Sequence, residues 1–393
     1  MAHYFIFPSK DATIYSHPDR STMNTGHDEV LELVKEVGSS DPHHHPTRIL
    51  IQFDNDDINE ALSVMGHDNF TSSLSEVKLE LISSNANNLV SVHNINVYAT
   101  SQSWDEGTGK YLNLPTGSNG VSWEYRDDTT TATAWPSQSF GDGGGTGSIT
   151  ASGFDGTNST YAIKAGGGTW YTGSQFLASQ QFLPGASLDT NFDVRNIVHK
   201  FSASLNTGAS YPIGINNYGF LIKSPDSIEA NASASFGEIQ YFSSDTHTIY
   251  PPKLVFKWDD SSYNLPAGKT PISRSIFLNL YDNQESYNQN DETIFRLHVR
   301  DKYPTREFSG TSNYLNAGFF TTSSFYSIRD AHTEREIVPF DDYTKLSADD
   351  KGMFFKLYMK GLQPERYYRL LFKHTHNEGT TIYDNDYFFK VVR

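Results

Sequence analysis

The chain has 393 residues, no cysteine, and 46 acidic against 30 basic residues, which gives a formal net charge of −16 at pH 7. The lack of cysteine excludes disulfides and thiolate metal sites, and the negative charge disfavours binding to nucleic acid. Aromatic residues make up 14% of the chain and charged residues 19%, and Gly, Ser, Thr and Asn are frequent. β-branched and aromatic residues suit strands, whereas Gly, Asn and Ser suit turns, so this composition predicts an all-β protein.

Two properties bear on length and location. A chain of this size predicts two domains, each with its own core. The N-terminus, "MAHYFIFPSKDATIY", lacks the charged and apolar regions of a signal peptide, and the sequence has no apolar run of about 18 residues. We therefore expect neither secretion through this N-terminus nor insertion into a membrane.

Alternation with period two predicts the strands of the N-terminal half. In "TRILIQFD" one face of the predicted strand carries Ile49, Ile51 and Phe53, and Arg48 and Asp54 flank this face. The same alternation predicts further strands with the inward residues Val77, Leu79 and Leu81; Ile95 and Val97; Phe220 and Ile222; and Leu254 and Phe256.

Two short helices are predicted among these strands. In "DNDDINEALSVMG" the residues Ile58, Ala61, Leu62 and Met65 recur at helical spacing after a candidate N-cap at Asp56. In "DVRNIVHKF" one face collects Val194, Ile197, Val198 and Phe201.

Residues 105–191 form an insertion whose stretches "GDGGGTGSITASGFDGTNSTY" and "KAGGGTWYTGS" are rich in Gly, Ser and Thr and nearly uncharged. We predict long loops with short strands between them, and loops of this length carry either function or disorder. The embedded aromatic residues argue against complete disorder.

A second domain is predicted after Trp258. The polar, turn-rich linker "DDSSYNLPAGKTP" is followed by strand-like segments such as "TIFRLHVRDKY", "GMFFKLYMKGL" and "RYYRLLFKH". Six or more short strands in about 130 residues favour an immunoglobulin-like β-sandwich. The predicted domains are therefore 1–258 and 259–393.

The order of pieces in the first half resembles the DNRLRE-type domain. These pieces are "DATIYSHPDRSTMNTGHDEVLEL", "TRILIQFD", "SEVKLELI", "NINVYATSQSWDEG", "FDVRNIVHKF", "NNYGFLIK" and "YFSSDTHTIYPPKLVFKW". The resemblance covers about residues 8–258 and implies a jelly-roll-like β-sandwich related to carbohydrate-binding modules. It also implies that Asp193 and Val194 cap a helix-like turn, and that Pro251 and Pro252 lead into the final strand.

A second resemblance is one of overall character. Acidic, cysteine-free, aromatic-rich β-proteins with a C-terminal sandwich and no signal peptide are similar to virion structural proteins of tailed bacteriophages. Virions leave the host by lysis and their proteins need no signal peptide, so this resemblance agrees with an N-terminus that lacks the features of one. It implies a location in the virion, other virion proteins as partners and a homo-oligomer within the particle.

Most of the clusters with catalytic residue types have simpler structural interpretations. The adjacent His43, His44 and His45 suit an exposed loop, because neighbouring side chains on a strand cannot converge on one metal. The pair Asp105 and Glu106 after Trp104 is adjacent in sequence, whereas glycosidase carboxylates face each other across a cleft. "KAGGGTW" lacks the Gly-Lys-Ser/Thr of a phosphate-binding loop, and no Ser-His-Asp order is evident.

Two sets of candidate binding residues remain. Asp54, Asp56 and Asp57 offer oxygen ligands for a structural Ca²⁺, without EF-hand spacing. The insertion offers aromatic rings that would either stack on sugars or belong to a core: Trp123, Trp135, Trp170 and Tyr171.

The sequence thus predicts a non-enzymatic, two-domain virion structural protein that acts through protein–protein assembly. The alternative is a carbohydrate-binding module that attaches the particle to host-surface glycans. An enzyme acting on polysaccharides is the third hypothesis, and the missing acid/base pair argues against it.

Overall fold

The computed structural model describes residues 2–17, 19–35, 45–66, 74–90, 92–111, 119–135, 145–146, 166–205, 214–229, 235–272, 276–304, 318–377 and 379–393. The helices of this part of the chain are α1 (Asn55–Met65), α2 (Arg195–Leu205) and α3 (Asp226–Glu229). The strands are β1 (Ala2–Ile6), β2 (Lys10–Tyr15), β3 (Val30–Lys35), β4 (Thr47–Gln52), β5 (Glu76–Glu80), β6 (Ser83–Asn87), β7 (His93–Ala99), β8 (Tyr125–Asp127), β9 (Thr133–Ala134), β10 (Gly145–Thr146), β11 (Thr169–Trp170), β12 (Leu177–Phe182), β13 (Phe192–Asp193), β14 (Phe220–Lys223), β15 (Gly237–Phe242), β16 (Lys253–Trp258), β17 (Ile276–Tyr281), β18 (Ser286–Asn288), β19 (Glu292–Asp301), β20 (Ser324–Asp330), β21 (Glu336–Val338), β22 (Ser347–Asp349), β23 (Gly352–Tyr358), β24 (Arg366–His376) and β25 (Gly379–Val392).

The chain forms two compact units. The N-terminal unit comprises Ile6–Glu60 and Val77–Val255, and the C-terminal unit comprises Met1–Phe5, Ala61–Glu76 and Phe256–Arg393. The main break, after Val255, lies three residues before the predicted domain end at Trp258. The C-terminal unit also takes in two short N-terminal segments, which the sequence prediction placed in the first domain.

The N-terminal unit is built on antiparallel sheets. One has the order β12-β7-β14-β4-β2 and another the order β3-β15-β6. Neighbouring strands are distant in sequence: Ile222 of β14 pairs with Ile49 of β4, and Ile239 of β15 pairs with Leu33 of β3. The inward faces follow the predicted alternation, since Val77, Leu79, Ile95 and Val97 are fully buried. The predicted all-β sandwich fold is confirmed.

Both longer predicted helices are present. The four residues of the predicted apolar face are buried, with Val194 directly before α2 and the other three within it, and the backbone N–H of Arg195 donates to Asp193 Oδ1 at 3.2 Å. α1 begins at Asn55, so Asp54 precedes the helix and the predicted N-cap at Asp56 is wrong. The backbone N–H of Ile58 donates to the carbonyl of Asp54 at 3.1 Å, which is the first bond of the helix.

The C-terminal unit has the strand order of an immunoglobulin sandwich. One sheet has the order β17-β19-β23-β22 and the other the order β18-β25-β24-β20-β21. In chain order these correspond to strands A-B-E-D on one side and G-F-C-C′ on the other, with β18 added parallel to β25. The hydroxyl of Tyr368, near the start of β24, donates to the carbonyl of Gln363 at 2.9 Å. This bond is the tyrosine corner of such domains.

Aromatic packing fills the core of this sandwich, which has no cysteine to cross-link it. The ring of Phe355 on β23 stacks on Tyr326 at 4.3 Å and on Phe295 at 5.1 Å. Phe389 extends the cluster towards Tyr368, with ring centroids 5.5 Å apart. Offset aromatic pairs of this kind contribute about 0.5–1.5 kcal/mol each beyond the area that they bury.

Candidate functional site

The insertion of the N-terminal unit packs onto the outer face of the five-stranded sheet. This face of β2, β4 and β14 presents apolar side chains that the insertion covers with its own. The resulting second core contains Ala12, Ile14, Leu50, Trp104, Val121, Trp123, Trp135, Trp170 and Leu221, all at most 5% exposed. The described parts of the insertion are therefore a structural layer.

Three of the four candidate sugar-stacking residues lie in this second core. Trp123, Trp135 and Trp170 are 0%, 5% and 2% exposed. Such rings have no open face for a sugar, so their placement favours the core interpretation. Tyr171 is half-buried, and its ring centroid lies 5.2 Å from that of Phe176. The structure does not assemble the four rings into an open platform.

A buried arginine connects this layer to the sheet. The guanidinium of Arg48 lies between the rings of Trp123 and Trp170, at 4.7 and 5.1 Å from their centroids. Its Nη2 donates to Glu229 Oε2 at 2.7 Å, and its Nη1 donates to the carbonyl of Gly167 at 2.5 Å. Lys223 Nζ lies 2.8 Å from the same Glu229 oxygen, so one buried carboxylate serves two cations.

The three glycines of "KAGGGTW" are required by the backbone conformation and the close packing next to Arg48. Gly166, Gly167 and Gly168 all have positive φ, at 131°, 85° and 88°. A Cβ on Gly167 would lie 2.6 Å from both Arg48 Nη1 and Trp123 Cζ2. Only glycine combines this backbone conformation with such a close approach, so these glycines allow the layer to pack closely against Arg48 and Trp123.

The motif residues that carry the DNRLRE resemblance meet in a hydrogen-bonded node. Asn24 Nδ2 donates to the carbonyls of Glu106 and Val121 at 2.6 and 2.7 Å, and Asn24 Oδ1 accepts from the Gly109 N–H at 2.8 Å. The Asp11 N–H donates to Glu106 Oε1 at 2.8 Å. These hydrogen bonds join the segments "DATIY", "MNTG" and "SWDEG". The Glu106 carboxylate accepts a hydrogen bond from a backbone N–H and does not face Asp105 across a cleft.

Asp11 is the most strongly perturbed carboxyl of this node. It is 1% exposed, accepts from the Ser244 N–H at 2.7 Å through Oδ2, and has no hydrogen-bond partner at Oδ1 among the described residues. Its pKa is raised to about 7, mainly by burial; the bonds from Ser244 lower the pKa, and the nearby carboxylates of Glu106 and Asp245 add smaller increases. Asp11 is therefore a pH-dependent part of the fold.

The predicted Ca²⁺ ligands belong to the start of α1. Asp54 and Asp56 are exposed, and Asp56 and Asp57 lie in the first turn, where carboxylates interact favourably with the helix dipole. Among the residues that the structure describes, no group of three or more His, Asp or Glu side chains is arranged to hold a metal ion. Nor does any helix in these ranges have the length and apolar character that crossing a bilayer requires.

A small open cleft lies where β2 and β4 meet β3 and β15. The Tyr15 hydroxyl donates to Glu32 Oε2 at 2.7 Å, and the Arg20 guanidinium lies 4.9 Å from the centroid of Tyr111. Of the three consecutive histidines, His43 and His44 lie outside the described residues, and His45 lines this cleft. The lining is aromatic and polar, with Tyr15, Ser16, His17, Arg20, Glu32, Val34, His45, Thr47, Tyr111 and Glu238.

The C-terminal unit exposes apolar side chains that sequence reasoning did not single out. It carries eight of the eleven large hydrophobic side chains that are exposed among the described residues: Leu74, Phe277, Tyr281, Ile294, Tyr303, Tyr367, Ile382 and Phe388. Alternation along β17 and β19 was the available signal, because one face of each strand is buried and the other also carries aromatic or aliphatic residues. Exposed apolar residues on such faces are typical of interaction surfaces.

Charge divides unevenly between the two units. The N-terminal unit has 25 acidic and 12 basic residues, and the C-terminal unit has 21 acidic and 18 basic residues. Net charges of −13 and −3 follow. The apolar surface therefore belongs to the nearly neutral unit.

Comparison with known proteins adds no family. No protein-family model matches the sequence, and no curated protein matches it. The resemblances to the DNRLRE-type domain and to phage virion proteins accordingly stay predictions.

Proposed function

We propose that this protein is a non-enzymatic structural component of a tailed-phage virion and acts by protein–protein assembly. The observation that carries the proposal is the apolar surface of the immunoglobulin-like unit. Aromatic residues and arginine are enriched in protein interfaces, and both occur together on its sheets. The Arg300 guanidinium lies 4.5 Å from the ring centroid of the exposed Phe277, and that of Arg369 lies 5.8 Å from Phe388.

The roles of the two units support an assembly function. In the N-terminal unit, the aromatic residues of the insertion stabilise the fold from within. Its strong negative charge favours solubility and opposes non-specific contacts. The C-terminal unit offers the surface on which a protein partner gains apolar burial.

Mass spectrometry of purified particles tests this function. We expect peptides of this protein at a fixed copy number per particle after density-gradient purification and nuclease treatment. Loss of the protein from particles while free protein stays in the lysate would contradict a structural role.

Glycan adhesion is the second candidate function, and the cleft in the N-terminal unit is the observation that favours it. Tyr111 offers aromatic surface, and Arg20 and Glu238 offer a donor and an acceptor for hydroxyl groups. A glycan array compares the intact protein with the variant Tyr111→Ala. Binding that disappears in this variant would favour adhesion, and no binding to any glycan would argue against it.

A further inference from the structure

The sequence contains a single Asn-Gly pair, Asn119–Gly120, which lies in the insertion of the N-terminal unit. In such a pair the backbone nitrogen of the glycine is able to attack the side-chain carbonyl carbon of the asparagine, because glycine has no Cβ that hinders the approach. Gly120 has a φ of 78°, a conformation that favours glycine. The pair therefore combines a backbone requirement with a potential for covalent chemistry.

The side-chain carbonyl of Asn119 is held by two donors. Its Oδ1 accepts hydrogen bonds from the backbone N–H of Thr108 at 2.9 Å and from the Thr108 hydroxyl at 3.1 Å. The backbone donor determines which atom of the amide is the oxygen, since an NH₂ group does not accept from an N–H. Two donors at this oxygen stabilise the negative charge that develops on it when a nucleophile attacks Cγ.

The leaving group and the nucleophile of such an attack are not engaged by other groups. Asn119 Nδ2 has no hydrogen-bond partner among the described residues. The backbone N–H of Gly120 likewise donates to no acceptor in the part of the chain that the structure describes. Neither group therefore loses a protein hydrogen bond when it reacts.

Asn24, in the same unit, has the opposite arrangement. Its Nδ2 donates to the carbonyls of Glu106 and Val121 at 2.6 and 2.7 Å, so the amide nitrogen is held in place. The residue that follows is Thr25, whose side chain is branched at Cβ and crowds the backbone nitrogen. Asn24 is therefore a matched control within the same chain.

We propose that Asn119 is a site of spontaneous deamidation. Hydroxide removes the proton from the Gly120 nitrogen, which then forms a bond to Asn119 Cγ. The Cγ–Nδ2 bond breaks, and the nitrogen leaves as ammonia after it takes a proton from water, which restores the hydroxide. Water then opens the five-membered imide at one of its two carbonyl carbons and gives aspartate or isoaspartate at position 119.

The two products differ in their effect on the N-terminal unit. Gly107 lies between the Asn-Gly pair and Asn24, since a Cβ on Gly107 would be 2.3 Å from the Asn119 carbonyl oxygen and 2.5 Å from Asn24 Oδ1. Aspartate keeps the backbone and an acceptor for the Thr108 N–H. Isoaspartate adds one carbon to the backbone at this closely packed point, so we expect it to disturb the hydrogen bonds of Asn24.

Peptide mapping by mass spectrometry tests the proposal on the intact, folded chain after incubation at 37 °C in mildly alkaline buffer. Deamidation increases the mass of a peptide by the difference between water and ammonia. We expect Asn119 to deamidate at least tenfold faster than Asn24. We also expect Thr108→Val, which removes the hydroxyl donor and keeps the backbone donor, to slow the reaction at Asn119 at least threefold. Circular dichroism establishes that the variant is folded.

Urea unfolding of fresh and incubated samples measures the structural effect. The unfolding midpoint of the wild type should fall as isoaspartate accumulates, whereas that of Asn119→Gln should stay constant, because a glutamine would have to close a larger ring.

Several results would overturn the inference. An unchanged mass at Asn119 would do so, as would deamidation that occurs there only after the chain is unfolded in urea. Equal rates at Asn119 and Asn24, or equal rates with and without the Thr108 hydroxyl, would show that the local structure does not promote the reaction. The modification is a property of the chain itself, so neither proposed function depends on it.

Discussion

Replacing Arg48 by methionine tests whether the insertion is held to the sheet by the buried charge cluster. Methionine keeps the length of the side chain but removes the bonds to Glu229 and Gly167 and the contacts of the guanidinium with Trp123 and Trp170. The side chain of Glu229 is 1% exposed, and in this variant it loses the ion pair with Arg48 and keeps the one with Lys223. Breaking a buried ion pair costs about 3–5 kcal/mol. We expect about 3 kcal/mol, because Lys223 compensates part of the charge.

Urea unfolding followed by tryptophan fluorescence measures this loss. Four of the five tryptophans, including Trp104 and Trp135, belong to the N-terminal unit, so the signal reports mainly on that unit. With an m-value of about 3 kcal/mol/M, the midpoint should fall by about 1 M. The double variant Arg48→Met/Glu229→Gln should recover part of this loss, since it removes both charges of the buried pair and Lys223 keeps its ion pair with Asp226.

The matched control is Arg126→Met in the same unit. Arg126 makes exposed hydrogen bonds to Ser103, so its replacement should change the unfolding free energy by less than about 0.5 kcal/mol. If Arg48→Met behaved like Arg126→Met, the buried cluster would not hold the layer, and the reasoning would fail.

Three further predictions concern single residues. Gly167→Ala should destabilise the N-terminal unit by about 2 kcal/mol or more in the same urea assay, because the new Cβ meets Arg48 and Trp123 at 2.6 Å. Asp11, with a pKa raised from 3.8 to about 7, contributes stability that is complete below pH 3.8 and lost as pH rises towards 7. Relative to Asp11→Asn, the wild type should lose about 1.4 kcal/mol per pH unit in that window, and parallel pH profiles would contradict this. Burial, and next the charge of His376, lowers the pKa of His374 from 6.5 to about 4, so its contribution is complete above pH 6.5 and lost as pH falls towards 4. Thermal melts of His374→Gln should show a weaker decline between pH 6.5 and 4 than those of the wild type.

Local pattern was sufficient to predict most of the fold. Alternation identified the inward residues of β5 and β7, and helical spacing identified the face of α2 that contains Ile197 and Phe201. These predictions succeed because one face of each element contacts a core and the other meets solvent. The same logic identified all six longer strands of the immunoglobulin-like unit.

Alternation fails where both faces of a strand are covered. In β14 the predicted inward residues are Phe220 and Ile222, yet Leu221 and Lys223 are buried as well, because the insertion packs on the other side. The sequence around β14 does not predict that its second face is buried, since the residues of the insertion that cover this face lie about 50 to 120 positions earlier in the chain. The Arg48–Glu229 pair, 181 residues apart in sequence, is a consequence of the same tertiary contact.

The burial of the candidate site residues also depends on tertiary contacts that the local sequence does not predict. Trp123, Trp135 and Trp170 were recognised as important aromatic residues, but whether a ring is open or buried depends on the sheet that it meets. The exposed apolar residues of β17 and β19 were missed because they occupy the outward positions of predicted strands. The sequence does not show which outward residues are neighbours, because this depends on the strand register, which pairs Phe277 with Arg300.

Quantitative mass spectrometry of gradient-purified particles shows whether this protein is a structural component of a virion. We expect this protein at a constant, non-zero copy number relative to the other structural proteins of the particle, and we expect it to stay bound after a high-salt wash. Particles that are complete and infectious without any peptide of this protein would contradict it.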